Sequence, residues 1–264
     1  MDQNLTTNGA TLPNRILNSL LKCIYFTLVS PMALMSQQLG EYPIITDFEQ
    51  VPFNQLQEAQ IAYSPAEEPF GISYASWCEA WVKHFYSIPC NKHPLAESAD
   101  NKTEPDQDGP VFFLAGTLGG TIERTVIIRE GKGIFFPVLN YVANYPCPYT
   151  GSKPAPGQSL KDFLVRNATA MVDQGTLMSV TLDGVRISDL LPFRTTTELF
   201  YFQALPELTC LDPCVTGELQ PGVADGYWIM LRPLTPGQHK LNYKGSYPKL
   251  GWAIDVTYTI EVEK

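Results

Sequence analysis

Residues 108–129 read "DGPVFFLAGTLGGTIERTVIIR": an apolar run, a glycine pair at Gly119-Gly120, then a stretch of period two. A glycine pair after an apolar run is compatible with a phosphate-cradling loop. Such a loop needs a helix directly after its glycines, because the free N–H groups of the helix N-terminus hold the anion. Here the glycines lead into a strand instead. Ile122, Arg124, Val126 and Ile128 alternate with Glu123, Thr125, Ile127 and Arg129, and most of them are β-branched. There is also no Gly-Lys-Ser/Thr after the pair. The stretch is therefore read as a β-hairpin of residues 111–117 and 121–129 around the glycine pair. A second turn at "EGKG" leads into a third strand, "IFFPVLN", to complete a β-meander. Pro137 inside that third strand marks an edge or a bulge.

The same periodicities organise the rest of the chain. In "SYASWCEAWVKHFYSIP" the residues Trp77, Trp81, His84, Phe85 and Ile88 share one helical face. This predicts a helix near 74–88, capped by Ser76 with Glu79 or, for an earlier start, by Ser73, and stopped by Pro89. A second helix near 160–173 opens at Ser159, with Asp162 as the other half of its capping box, and ends at Gly175. It buries Leu160, Phe163, Leu164, Ala168, Met171 and Val172. "LMSVTLDGVRIS" is a hairpin around Asp183-Gly184, a type I′ pair. "TELFYFQAL" is a strand, and a long loop comes after it. The chain ends in three strands, "GYWIMLRPL", "GQHKLNYKG" and "WAIDVTYTIEVEK". The first two meet at Thr235-Pro236-Gly237. In the third, Ile254, Val256, Tyr258, Ile260 and Val262 form one apolar face.

About nine strands fall in runs, not in alternation with helices. The expected fold is mainly β: an antiparallel β-sandwich, jelly-roll or immunoglobulin-like, with two helices packed on or between the sheets. It occupies 73–264 as a single domain, after an extended lead-in at 38–72 and an N-terminal segment, 1–37, that is a signal peptide or a helix. There are 22 prolines and 19 glycines, dispersed as many short strands and turns require.

The net charge of −9 and the lack of a basic patch exclude nucleic acid as a partner. In "NRILNSLLKCIYFTLVSPMALMSQ", residues 14–37, two cations precede an apolar stretch of signal-peptide length, with small residues beyond it. The stretch is too short for an integral membrane span. A secreted or periplasmic location is expected, with an amphipathic helix as the alternative. Asn4, Asn101 and Asn167 stand in glycosylation-type triplets, a weak signal. The six cysteines are Cys23, Cys78, Cys90, Cys147, Cys210 and Cys214. None makes a CxxC pair, which argues against a thiolate zinc site. If Cys23 leaves with a signal peptide, the remaining five allow at most two disulfides and one free thiol.

Four stretches, in order, resemble a family of uncharacterised secreted bacterial β-sandwich proteins: "SYASWCEAWVKHFYSIPCNKHPL", "DGPVFFLAGTLGGTIERTVIIREGKGIFFPVLN", "ADGYWIMLRPLTPGQHKLNYKG" and "IDVTYTIEV". The match spans roughly residues 70–262. That family carries a Trp-rich helix ending Ser-Ile-Pro, a Gly-Pro-Val-(Trp/Phe)-Phe-Leu-Ala-Gly-Thr strand, a Phe-Phe-Pro-Val strand and C-terminal Asp-Gly-Tyr-Trp and Pro-Gly-x-His strands. The resemblance implies a compartment and a fold but no reaction. Many members carry a cysteine before the Gly-Pro-Val strand and another just after the arginine of the next strand. This chain has "NKTEPDQDG" and Arg124-Thr125-Val126 there, which fits the loss of one disulfide and weakens the case for export.

The sequence supports three functional readings. In the leading one the protein binds a ligand, such as a glycan, a cell-envelope component or another small molecule, without a cofactor. Trp77, Trp81 and Trp228 offer ring faces for stacking, His84 lies on the same helical stripe, Arg124 is an anion site, and Asn140 holds a hydroxyl or Ca²⁺. Each has a structural alternative: tryptophans and histidine in the core, an arginine salt-bridged to Glu79 or Asp225, an asparagine in a turn. The second reading is a hydrolase. Asp225 and His239 meet if their two strands pair, with Glu79 as a further acid/base group, although no Gly-x-Ser-x-Gly supplies a nucleophile. The third is a structural or surface interaction protein. No metal motif is present.

Overall fold

The computed structural model describes residues 61–95 and 107–264. The predicted signal segment, the lead-in up to residue 60, Cys23 and the triplets at Asn4 and Asn101 lie outside the described residues. Among the described residues, two α-helices and ten strands are arranged in the order α1 (Tyr74–Phe85), β1 (Val111–Phe113), β2 (Gly120–Arg129), β3 (Gly133–Asn144), α2 (Leu160–Val172), β4 (Thr176–Leu182), β5 (Val185–Ile187), β6 (Arg194–Thr196), β7 (Phe200–Gln203), β8 (Leu219–Leu231), β9 (Gly237–Tyr247) and β10 (Trp252–Glu263). They form two five-stranded sheets. One runs β1-β3-β8-β6, with β7 also on β8; the other runs β2-β10-β9-β4-β5. The mainly-β, sandwich-like architecture with two helices is thus as the periodicities imply.

The pairing differs from the expected meander. β1 and β2 do not form a hairpin. β1 pairs parallel with β3, and β2 pairs parallel with β10 in the other sheet. The chain crosses from one sheet to the other between Phe113 and Gly120. Gly119 and Gly120 have φ of 144° and 77°, so the glycines do serve a sharp change of direction. A glycine pair permits a turn without dictating where the strands go. β8 and β9 likewise sit in different sheets, although the 235–237 turn joins them. One expected pairing is present, β4–β5 around Asp183 (φ 50°) and Gly184 (φ 82°), while β9 pairs antiparallel with β10 instead of β8. Pro137 lies at a register shift between Pro137 and Leu139, on a strand that β1 covers on one side only at Gly133–Phe135 among the described residues.

The core between the sheets takes Phe136 and Val138 from β3, Val126 and Ile128 from β2, and the clean face Ile254, Val256, Tyr258, Ile260 and Val262 from β10. Each large side chain buried there contributes about 1.5–3 kcal/mol. α1 lies on the outer face of the first sheet. Trp81 packs edge-on to Trp228 at 5.5 Å, and Trp228 stacks on Phe135 at 5.6 Å. The Ser73 hydroxyl caps α1 by accepting the Ser76 N–H, while Glu79 turns outward to Lys83 at 2.5 Å. α2, capped by Ser159, packs Phe163, Leu164 and Ala168 on Ala143 and Val223. The end of the lead-in is also ordered on the sheet. Tyr63 N–H donates to Met230 O and Arg232 N–H to Ile61 O, both at 2.9 Å, along the far side of β8.

Candidate functional site: a cleft along the open side of β3

The crossing of the chain between sheets leaves a gap. β1 covers β3 only at Gly133–Phe135. Beyond that the departing segment 114–118 swings away and no strand among the described residues replaces it. Several side-chain donors hold the departing backbone. Arg124 Nη1 donates to Ala115 O (3.1 Å) and Gly116 O (2.8 Å), and Nη2 donates to Pro94 O (2.5 Å). The Tyr243 and Tyr258 hydroxyls both donate to Ala115 O at 2.8 Å. Trp252 Nε1 donates to Leu118 O at 2.6 Å. An added Cβ at Gly119 would stand 3.3 Å from that indole nitrogen, so glycine suits both the φ and the contact.

The result is a cleft of about 430 Å³, within the usual range for ligand sites. One wall is β3 from Pro137 to Val142. The opposite wall is Gly116–Leu118 with Trp252 and Ile254. The end of α1 and the loop from Leu208 to Cys214 close a third side, and Tyr149 stands at the mouth. Both disulfides, Cys90–Cys210 and Cys147–Cys214, tie down that loop, leaving Cys78 as a buried free thiol.

Among the described residues that line the cleft, the charged side chain is Asp212, and there is no lysine or arginine. Asp212 is well held. Tyr86 Oη donates to its Oδ2 at 2.7 Å, Asn144 Nδ2 to the same oxygen at 3.3 Å, and Cys214 N–H to Oδ1 at 2.8 Å. Burial, then the Asp212 charge, pushes the phenols of Tyr86 and Tyr141 upward, so both stay neutral hydroxyls. His93 is buried with Nδ1 accepting the Leu95 N–H and Nε2 donating to Phe85 O. Desolvation lowers its pKa, so it lines the cleft as a neutral ring.

The residues singled out from sequence scatter around this cleft. Asn140 lines it, from the middle of β3 and not from a turn. Trp81 lines it, but the ring is buried and its Nε1 donates to Leu114 O. Trp77 and Trp228 are core residues, and His84 packs between Phe85 and Phe113. The expected tryptophan platform is therefore absent among these three, because all are spent on seating α1. Arg124 is buried and meets neither of the carboxylates expected for it; carbonyls and the Tyr258 hydroxyl take its N–H groups.

Asp225 and His239 are not brought together. Asp225, fully buried on β8, accepts from Arg194 Nη2 at 2.7 Å and from Thr196 Oγ1 at 2.7 Å. Arg194 also reaches Asp173 at 2.7 Å. His239, on β9 in the other sheet, bonds Asp183 Oδ2 at 2.6 Å through Nδ1 and Thr235 O at 2.8 Å through Nε2. Glu79 is on the solvent side of α1 with Lys83. Both members of the expected dyad have other partners because β8 and β9 belong to different sheets. Sequence reading missed Asp212, Tyr86, His93, Tyr141 and Tyr149. The signal that points to Asp212 is "CLDPC", an acid enclosed by two cysteines that both prove to be bridged.

No group of three histidine, cysteine or carboxylate side chains at metal-binding spacing occurs among the described residues, and no helix there is long and apolar enough to cross a membrane. No family model and no curated protein matches the chain. Among solved structures it is similar to a chain in "Structure of PbICP-C in complex with falcipain-2", with 9% identity over 59% of this chain and all of that one, at a TM-score of 0.23. A likeness at that score carries no argument.

Proposed function

We propose that the protein is a ligand-binding module and that the cleft along β3 is its binding site. The observation that carries this is the composition of the cleft: aromatic and aliphatic walls, hydroxyls and amides from Tyr86, Tyr141, Thr117 and Asn140, and one carboxylate with no cation among the described lining residues. Such a lining suits a neutral or cationic ligand with apolar surface. Glycans and other cell-envelope components fall in that class, with Tyr149 as the exposed ring for stacking. Two disulfides support a secreted or periplasmic setting, where such pairs persist. The hydrolase reading has no support from Asp225 and His239, which are separately paired.

The test is a thermal-shift and calorimetric screen of chito-oligosaccharides, muropeptides and peptides. Ligands are expected to lose affinity tenfold or more in Tyr149→Ala and Asp212→Asn while the unligated melting temperature of Tyr149→Ala stays unchanged. Binding that survives both substitutions moves the site elsewhere and ends this reading.

A further inference from the structure

We propose that the occupant of the cleft is an extended polypeptide segment that pairs with β3 as an added strand. This rests on the cleft being the binding site and goes further by naming the class of ligand.

In an antiparallel ladder, alternate residues turn their backbone groups away from the partner strand, and residues opposite each other turn the same way. On β8, Ala224 and Met230 bond away from β3: Thr197 N–H donates to Ala224 O, and Tyr63 N–H to Met230 O. Gly226 has the same parity. Their partners on β3 are Val142 for Ala224 and Asn140 for Gly226. Asn140 and Val142 therefore turn their N–H and C=O groups away from β8, to the side that β1 has left. Neither backbone is bonded on that side among the described residues. Both residues line the cleft.

Backbone donors and acceptors demand partners. Here two residues, two positions apart, present their groups in a row, about 6.6 Å from one to the next, which is the repeat of a β-strand. A sugar has no such repeat, whereas an extended peptide matches it. The edge already accepts a strand in this way: β1 pairs with Gly133–Phe135, immediately before the open stretch. A segment laid along Pro137–Val142 would continue the row that β1 begins, over about 20 Å. Alternate side chains of the segment would face opposite walls, the end of α1 with Leu208 and Leu211 on one side, Leu118 with Trp252 on the other. This is strand addition with pockets for alternate residues. The lone carboxylate of Asp212 selects a basic residue in the segment and disfavours acids.

The probe is a synthetic pool of acetylated, amidated heptapeptides, apolar at alternate positions with one lysine and no acid. It is titrated into the ¹⁵N-labelled full-length protein. The expected result is saturable binding with slowed amide exchange at Asn140 and Val142. N-methylation of the bound peptide's amides at alternate positions should weaken binding tenfold or more in one register and leave it nearly intact in the other. Val142→Pro removes the open-side N–H while sparing the bonds to β8, and should lose binding tenfold with little change in melting temperature. The methylation series needs no protein variant, so it decides the matter even if that one misfolds. Peptides that bind in the cleft with no register effect and no protection at Asn140 and Val142 overturn strand addition but leave the binding module. Chito-oligosaccharide binding in the cleft with no peptide binding does the same and assigns the site to glycans. Silence from both overturns the module reading as well.

Discussion

Two buried tyrosines show how strongly a hydroxyl's value depends on its partner. Tyr74 Oη donates to Tyr63 O at 2.6 Å and accepts the Met230 N–H at 3.2 Å, fastening the lead-in to β8. Tyr247 Oη is buried without a hydrogen-bond partner among the described residues. Burial pushes the pKa of both phenols up, that of Tyr247 to about 12. Removing a satisfied hydroxyl strands its partners, whereas removing an unsatisfied one relieves a desolvation cost. Tyr74→Phe should cost about 1–3 kcal/mol, and Tyr247→Phe should be neutral or stabilising by about 1 kcal/mol. Urea denaturation of the two single variants checks the contrast. Equal losses would mean that Tyr247 has a partner. At this scale the sequence is a partial guide. Asn140 was visible as a polar residue ending an apolar strand, but the partners of Asp225 and His239 depend on which sheet each strand joins.

Elements were legible where their own periodicity sufficed, and illegible where they depend on a distant partner. The alternation in 252–263 gives β10 and its buried face directly, and Asp183-Gly184 gives the β4–β5 turn. Nothing local tells β1 to pair parallel with β3 while β2 joins β10. That crossing is fixed by Arg124, Tyr243 and Tyr258 converging on one short piece of backbone. The loop 206–214 is the opposite case, since its composition gives no periodicity and its place is set by a short 3-10 turn, the buried Leu208 and long-range cross-links. Cys210 and Cys214 reach back 120 and 67 residues to Cys90 and Cys147. Between them stands Asp212, so the bridges hold the cleft wall together with Leu208 and Val215, which are buried against the outer face of the first sheet. Replacing Cys147 and Cys214 by alanine should cost about 2–5 kcal/mol. It should also speed amide exchange over 208–215 and weaken cleft ligands more than the Tyr149→Ala change does. Hydrogen exchange measured on wild type and variant checks this. Unchanged exchange in the loop would show that the wall stands without its bridge.

The whole molecule has three histidines, and they pull its stability in opposite directions with pH. His239 is partly desolvated, which by itself lowers its pKa. The bond to the Asp183 carboxylate, the bond to the Thr235 carbonyl and the Asp183 charge together outweigh this and raise it. Both ring nitrogens face acceptors, so the imidazolium is the form that the site satisfies. A raised folded pKa means that the stability His239 supplies is fully present below the unfolded value of about 6.5. It is lost as pH rises through the folded value. His84 and His93 are the reverse, with desolvation lowering both. For His93 the reason is geometric too: protonating Nδ1 would set a proton against the Leu95 N–H that it now accepts. Their contribution is present above about 6.5 and lost as pH falls toward their lowered values. The sheets share one core, with residues from both in contact, so the two-sheet domain should unfold in a single transition that reports all three histidines. The penalty of His239→Asn should then be larger at about pH 5.5 than at about pH 8.5, and that of His93→Asn smaller at the lower pH than at the higher, since the two values bracket the unfolded pKa. Melting temperatures of the wild type and the two variants across that range settle the signs. Parallel profiles would mean that neither ring senses the contacts described, and with that the neutral His93 wall of the cleft would be lost.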